Sequence, residues 1–413
     1  MSTLGGLQSH AHPKGHVVGT HRACAPTETL ERCQTLARRL GITRLANITG
    51  LDSIGLPVFV AVRPNSRSLA TAQGKGLDPI SAKVSALMES IELWHAENID
   101  CLLRHDSYLR LRESVPALDP AELSASAPRD RPLIWIEGFD LVARSPLWVP
   151  FDCVTMNCVV ASGQTHSFAP SSNGLASGNH LLEAIVHGLC EVIERDALTI
   201  WQLSDDAKVK ACQIDLSTIA DPGCRELLGK LAAAEVRIGV WDMTSDTGVP
   251  AYAAEIYDAS ERPDFRRLGA FGGYGCHLAP EIALLRAIGE AAQSRLTFIS
   301  GSRDDLFYAK YLVASADIAA RVASIEQPAA RANFAAQSSL SSASFDEDLE
   351  LLLKRVQSVG LTRVVAVDLS KPEVGIPVVK VIVPGMEARL SARHYQPGAR
   401  ATRWAAEGSG GNA

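Results

Sequence analysis

Short runs rich in apolar residues recur along this chain, and four of them open on proline: LPVFVAV at Pro57, VPFDCVTM at Pro150, VPAYAAEI at Pro250 and GIPVVKVIVP at Pro377. Proline is tolerated at the first residue of a strand, where no ladder N–H is lost, so each run reads as a strand. Elsewhere the apolar period lengthens to that of a helix. Three such stretches align without a gap: AKVSALMESIE from Ala82, AIVHGLCEVIE from Ala184 and ALLRAIGEAAQ from Ala283. Each has Ala first, an aliphatic residue five positions on, Glu at the eighth position and Glu or Gln three further. A glycine-rich turn precedes each: Gly74-Lys75-Gly76, Asn173 to Gly178, and Gly272 to Gly275.

The chain therefore repeats one unit three times: strand, further strand or loop, glycine turn, helix. The fourth proline-led run has no helix after it. The expected class is α/β of the α+β type, with interlocked mixed or antiparallel sheets rather than one doubly wound parallel sheet. One catalytic domain is expected over 41–398, after a flexible extension and first helix over 1–40 and before a disordered tail over 399–413. Residues 303–347 read as an insert rich in Ala, Ser and Asp, leading into the helix DEDLELLLKRVQSVG.

Composition narrows the classes. The formal net charge of -6 over 413 residues, without a basic stripe, excludes a nucleic-acid binder. No apolar run approaches the roughly 20 residues that span a bilayer, and the N-terminus lacks a secretory core, so a cytoplasmic protein is expected. Nine scattered cysteines read as free thiols in a reducing compartment. Cys153 and Cys158 have no second pair at zinc-ligand spacing.

The repeated helices carry the candidate chemistry. Residues three apart share a helix face, so Glu89 projects with Glu92 and Glu191 with Glu194, while Glu183 lies two turns before Glu191. A single acidic pair is ordinarily a solvated face. Here the pairs recur at one place in the unit, sit beside core residues, and mostly lack a basic partner four positions on. Buried carboxylates in such number need a cation, and Mg²⁺ takes oxygen ligands in company with phosphates. Lys75, Arg195, Arg286 and Arg295 are the candidate phosphate partners, and Gly74 and Gly76 would admit backbone N–H groups to a phosphate at a helix N-terminus. His180 and His187 read as structural. No Walker or protein-kinase motif is present, so the nucleotide site is of another architecture.

SSNGLASGNHLLEAIVHGLCEVIERDA, with GKGLDPISAKVSALMESIELWHAE before it and HLAPEIALLRAIGEAAQSR after it, resembles the YcaO superfamily, which uses ATP to activate peptide amides. The end segments GITRLANITGLDSIGLPV and GIPVVKVIVPGME resemble most the branch that works with a TfuA partner and installs thioamides. The resemblance implies ATP and Mg²⁺ as cofactors, with Glu89, Glu92, Glu191 and Glu194 as metal ligands. It implies Glu191, Glu194, Arg195 and Arg295 as catalytic, and Lys75, Asn179, Glu183, Glu290 and Gln293 as nucleotide contacts, to which the reading of the residues themselves adds Arg286. It further implies a peptide or protein substrate, a TfuA-like partner and a homodimer. The ending RWAAEGSGGNA lacks the proline-rich C-terminus usual in azoline-forming members, which favours the thioamide branch. Azoline or amidine formation, and a non-catalytic ATP-binding accessory role in ribosomal-protein modification, are the alternative readings.

Overall fold

A computed structural model describes residues 12–159, 166–258, 268–307, 322–323, 325–326, 332–389 and 395–409. After helix α1 (Pro26–Ala37), strands β1 (Arg44–Asn47), β2 (Val58–Val62) and β3 (Thr71–Lys75) pair in order, antiparallel, and α2 (Pro79–Glu97) packs across them. Next come β4 (Leu103–Ser107), the short α3 (Tyr108–Leu111), β5 (Pro132–Asp140), β6 (Ser145–Pro150), β7 (Leu175–Ser177) and α4 (Leu181–Gln202). The third unit follows α5 (Asp206–Ala211), β8 (Ile214–Asp215) and α6 (Pro222–Ala233). It consists of β9 (Val236–Asp242), β10 (Ala251–Asp258) and β11 (Phe271–Cys276), again antiparallel, under α7 (Pro280–Ser300). The strand β12 (Ala332–Asn333), which pairs in parallel with β8, leads to a helix over Phe345–Ser358, to β13 (Val365–Asp368) and β14 (Val378–Ile382), and to a last helix over Ala399–Ser409. The mixed α/β class with mainly antiparallel sheets is as the sequence indicates.

The second unit is assembled from distant parts of the chain. Strand β7 pairs with β14, not with β6, so α4 rests on a sheet whose central strand comes from the far end of the sequence. Register establishes the equivalence: Val58 faces Lys75, Val378 faces Ser177 and Ala251 faces Cys276. The carbonyls of Pro57, Pro377 and Pro250 each accept the backbone N–H following that strand, from Gly76 (3.3 Å), Gly178 (3.1 Å) and His277 (3.1 Å). The run at Pro377 thus completes the second unit. Pro150, expected to open a strand, instead closes β6, and a 3-10 turn over Phe151–Cys153 follows.

The units close into a ring, because each glycine-turn strand packs on the helix of another unit: β3 on α7, β7 on α2 and β11 on α4. Each helix has its own apolar core, built around Leu87 and Ile91, Leu189 and Ile193, and Leu284 and Ile288. Gly74 permits the close seat of α2, since a Cβ there would stand 1.9 Å from the Ala86 nitrogen; at Gly76 it would stand 2.6 Å from Ser81 Cβ. Both glycines therefore serve helix–strand packing, and the Gly76 N–H, expected to face a phosphate, donates to the Pro57 carbonyl.

Both termini are more ordered than the sequence indicates. Residues 12–25 form a strap: Lys14 Nζ lies 2.6 Å from Asp348 and donates to Ser341 Oγ and the Ser342 carbonyl, and the Ala23 N–H donates to Glu183. The expected disordered tail is helical over Ala399–Ser409, anchored by the buried Arg400. Residues 1–11 and 410–413 lie outside the described residues, as does much of the expected insert.

Candidate active site

The ring explains how residues about a hundred apart meet. Lys75, Ser177 and Cys276 occupy one position of the unit, and the first two bond the second acidic position of the neighbouring helix. Lys75 Nζ donates to Gln293 Oε1 (2.9 Å), and Ser177 donates through N–H (2.8 Å) and Oγ (2.6 Å) to Glu92 Oε1. Cys276 lies in the field of Glu194. Lys75 also runs along α7, its Cδ 3.1 Å from where a Gly289 Cβ would be. Arg195 bridges two units, with Nη2 3.4 Å from Glu194 and 4.0 Å from Glu290. The Gln73 N–H donates to Glu89 (3.2 Å), and Gln293 Nε2 donates to the Gln73 carbonyl (3.2 Å).

Glu89, Glu92, Glu191, Glu194 and Glu290 interact electrostatically across this cleft. Burial pushes Glu89 up to about 7 against the pull of Lys75, and Glu92 up to about 8 despite Ser177. Burial also raises Glu191 and Glu194, opposed chiefly by Arg195, while Glu290 raises both further. Glu89, Glu92 and Glu191 remain partly open to solvent and Glu194 is 6% exposed, so the cluster is sunk into the protein yet reachable from solvent. This donor set fits a divalent cation, since it cannot ionise fully at neutral pH unless positive charge enters. Among the described residues, however, no three His, Cys, Asp or Glu side chains converge closely enough to cage a metal unaided. Mg²⁺ characteristically takes one or two carboxylates and fills its shell with phosphate oxygens and water, which agrees with an open arrangement.

A stability prediction follows. These carboxylates hold their protons more tightly in the folded chain than in the unfolded one. Their stabilising effect is complete below the ordinary glutamate value and is lost as pH rises through about 7 to 8. Without ligand, the melting temperature should fall by several degrees between about pH 6 and pH 8, and Mg²⁺ with a nucleotide should reduce that fall. Thermal scans across this range check it; a ligand-free melting point that holds or rises counts against the raised carboxylates.

The other sequence candidates are placed differently. Glu183 accepts from Ala23 N–H (2.8 Å) and Asn179 N–H (3.2 Å) and lies 3.6 Å from Arg22, while Asn179 Oδ1 accepts from Thr29 (3.0 Å) and Arg32 (3.4 Å). Both therefore dock the N-terminal strap and α1. Arg286 is tucked behind the cluster, donating to the Cys276 carbonyl (3.1 Å). Arg295 pairs with Asp52 (3.0 Å) and Asp258 (2.9 Å). His180 caps α4 by accepting from the Leu182 N–H. Burial, reinforced by Arg286, Arg22 and Lys75, holds His187 neutral.

Sequence reading missed Ser177, Gln73 and Lys380. Lys380, 3% exposed on β14, donates to the Ser171 carbonyl, and its charge opposes the burial that raises Glu191. A lone lysine inside the apolar run VVKVIV was the available signal.

Residues 73–387 match the profile of the YcaO cyclodehydratase family, described as ATP- and Mg²⁺-binding. The chain is 36% identical over 388 residues to a protein encoded in the tfuA 3′ region of Rhizobium leguminosarum bv. trifolii, covering 92% of each. It is 37% identical over 374 residues to a protein of Methanothermobacter thermautotrophicus, covering 89% of this chain and 95% of that one. This chain belongs to the YcaO family.

Its fold is shared with YcaO from Methanopyrus kandleri bound with AMPPCP and Mg²⁺ (TM-score 0.73, 24% identity, 94% of this chain and 98% of that one). It is also shared with a heterocyclase in complex with substrate and cofactor (TM-score 0.75, 22% identity, 92% of this chain). This chain spans about half of that heterocyclase, 54% of its length.

Proposed function

We propose that this chain uses Mg²⁺ and ATP to activate a peptide backbone amide for attack by a sulfur nucleophile, yielding a thioamide in a ribosomally made peptide or protein. The observation that carries the nucleotide reading is the ring of carboxylates raised by burial and crossed by Lys75 and Arg195. A cleft so charged is suited to a cation and a polyphosphate together. The family's ATP- and Mg²⁺-binding description and the bound AMPPCP and Mg²⁺ of the Methanopyrus kandleri protein support it.

An amide oxygen is a poor leaving group. In the proposed route, sulfur adds to the carbonyl carbon, the resulting oxyanion attacks the γ-phosphorus of ATP with release of ADP, and phosphate then departs to leave C=S. Mg²⁺, held by carboxylates among Glu89, Glu92, Glu191 and Glu194, would supply charge neutralisation at the phosphates. Lys75 and Arg195 offset further negative charge, and Ser177 and Gln73 hold Glu92 and Glu89 in place. Such preorganised charge acts more strongly than it would in bulk water, because burial weakens solvent screening of these groups.

The thioamide rests on the tfuA-region relative, and it implies a TfuA-like partner protein. Mass spectrometry of a peptide incubated with the chain, its partner, ATP and sulfide tests it. Replacement of oxygen by sulfur raises the mass by the difference between the two atoms. Loss of one water would overturn the thioamide in favour of an azoline while retaining amide activation.

A further inference from the structure

Arg195 crosses the seam between α4 and the third unit, from Glu194 to Glu290, and Arg400 crosses the same seam at a second point, from Asp196 to Asp246. On the α4 side, Arg400 donates Nε (3.0 Å) and Nη2 (2.7 Å) to Asp196, the residue after Arg195. On the other side it donates to Asp246, in the turn between β9 and β10, through Nη2 (2.6 Å) and Nη1 (3.3 Å). Arg400 is 5% exposed and Asp196 is fully buried.

Its place is fixed by the segment that carries it. The Glu387 carboxylate accepts from Gly398 N–H (3.1 Å), Ala401 N–H (3.0 Å) and Tyr395 OH (2.7 Å), setting where the last helix begins. The Glu387 N–H donates to Asp196 (2.9 Å), and the Arg389 N–H donates to Thr199 Oγ1 (3.0 Å), which itself donates to the Arg195 carbonyl (2.7 Å). The C-terminal segment thus holds the helical turn that bears Arg195 at two points.

We infer that Arg400 is a positioning residue: it sets the separation of α4 from the third unit, and so the span over which Arg195 reaches from Glu194 to Glu290. The guanidinium fork suits this role because it serves two carboxylates at once, which an ammonium on a flexible stem does poorly. The inference rests on the cleft being a Mg²⁺-nucleotide site, and a displacement of the order of 1 Å at such a site is costly.

The test is calorimetric titration of the full chain with Mg²⁺–AMPPCP, below the melting point of each variant. Arg400→Met should weaken binding about tenfold per folded chain, with Arg400→Lys intermediate. Asp246→Asn leaves the Arg400–Asp196 pair intact, so it keeps the test decisive if Arg400→Met fails to fold, and it should weaken binding in the same direction. Trp404→Ala loosens the last helix elsewhere, where Trp404 bonds Ser204 (3.2 Å) and lies under Lys208 (3.6 Å), and it should bind like the parent chain. Unchanged affinity in Asp246→Asn overturns the inference, as does a loss in Trp404→Ala equal to that in Arg400→Met, which would make the helix a general staple. Failure of the parent chain to bind the analogue overturns the nucleotide reading instead.

Discussion

Glu191→Ala is expected to lower peptide-dependent ATP turnover on the order of a thousandfold while leaving the fold intact. Glu191 sits where the charges of three elements meet: Arg195 on its own helix, Lys380 from β14 and Glu290 from α7. Burial already disfavours its charged form, so its removal sacrifices little native stability. Lys380 keeps the Ser171 carbonyl as a partner, which limits the cost of the missing carboxylate. The melting temperature should therefore stay within a few degrees of the parent chain. Turnover close to that of the parent would remove Glu191 from the site. A collapse in melting temperature would show that its carboxylate is structural.

The repeated helices and their acids were legible because both the 3.6-residue period and the unit spacing are local properties of the sequence. The convergence of Glu89, Glu191 and Glu290 could be anticipated as soon as the unit was recognised. Strand assignment was harder. Proline sits comfortably at either end of a strand, so Pro57 and Pro150 look alike, although one precedes β2 and the other ends β6. That β14 pairs with β7 is a property of segments some two hundred residues apart, and no local pattern records it. The same pairing concealed Lys380, which reaches Glu191 only because β14 occupies the second unit. Gly74 and Gly76 are ambiguous for a different reason: the same freedom from Cβ serves a bound anion or a closely packed helix, and the packed helix is what the structure displays. Arg400 was hidden by the Gly- and Ser-rich residues that follow it, which dominate the composition of the tail.

Arg295→Met is expected to destabilise the chain by about 3–5 kcal/mol, the cost of breaking a buried ion pair from one side. Arg295 lies on α7, and its guanidinium joins Asp52, between β1 and β2, to Asp258 at the end of β10. Its side chain is 6% exposed and that of Asp52 is 1% exposed, so neither can recover its hydration if the other is lost. The pair links the third unit to the first, the seam that Lys75 and Gln293 span inside the cleft. Each seam of the ring therefore has a polar fastening: Ser177 with Glu92, Lys75 with Gln293 alongside Arg295, and Arg195 alongside Arg400. Equilibrium urea unfolding measures the loss. Arg295→Lys, which retains the charge but not the fork, should recover part of the stability and most of the turnover. A stable Arg295→Lys chain without ATP turnover would reverse the assignment, because a lysine that satisfies the two aspartates and still abolishes reaction implies that the guanidinium meets the nucleotide directly.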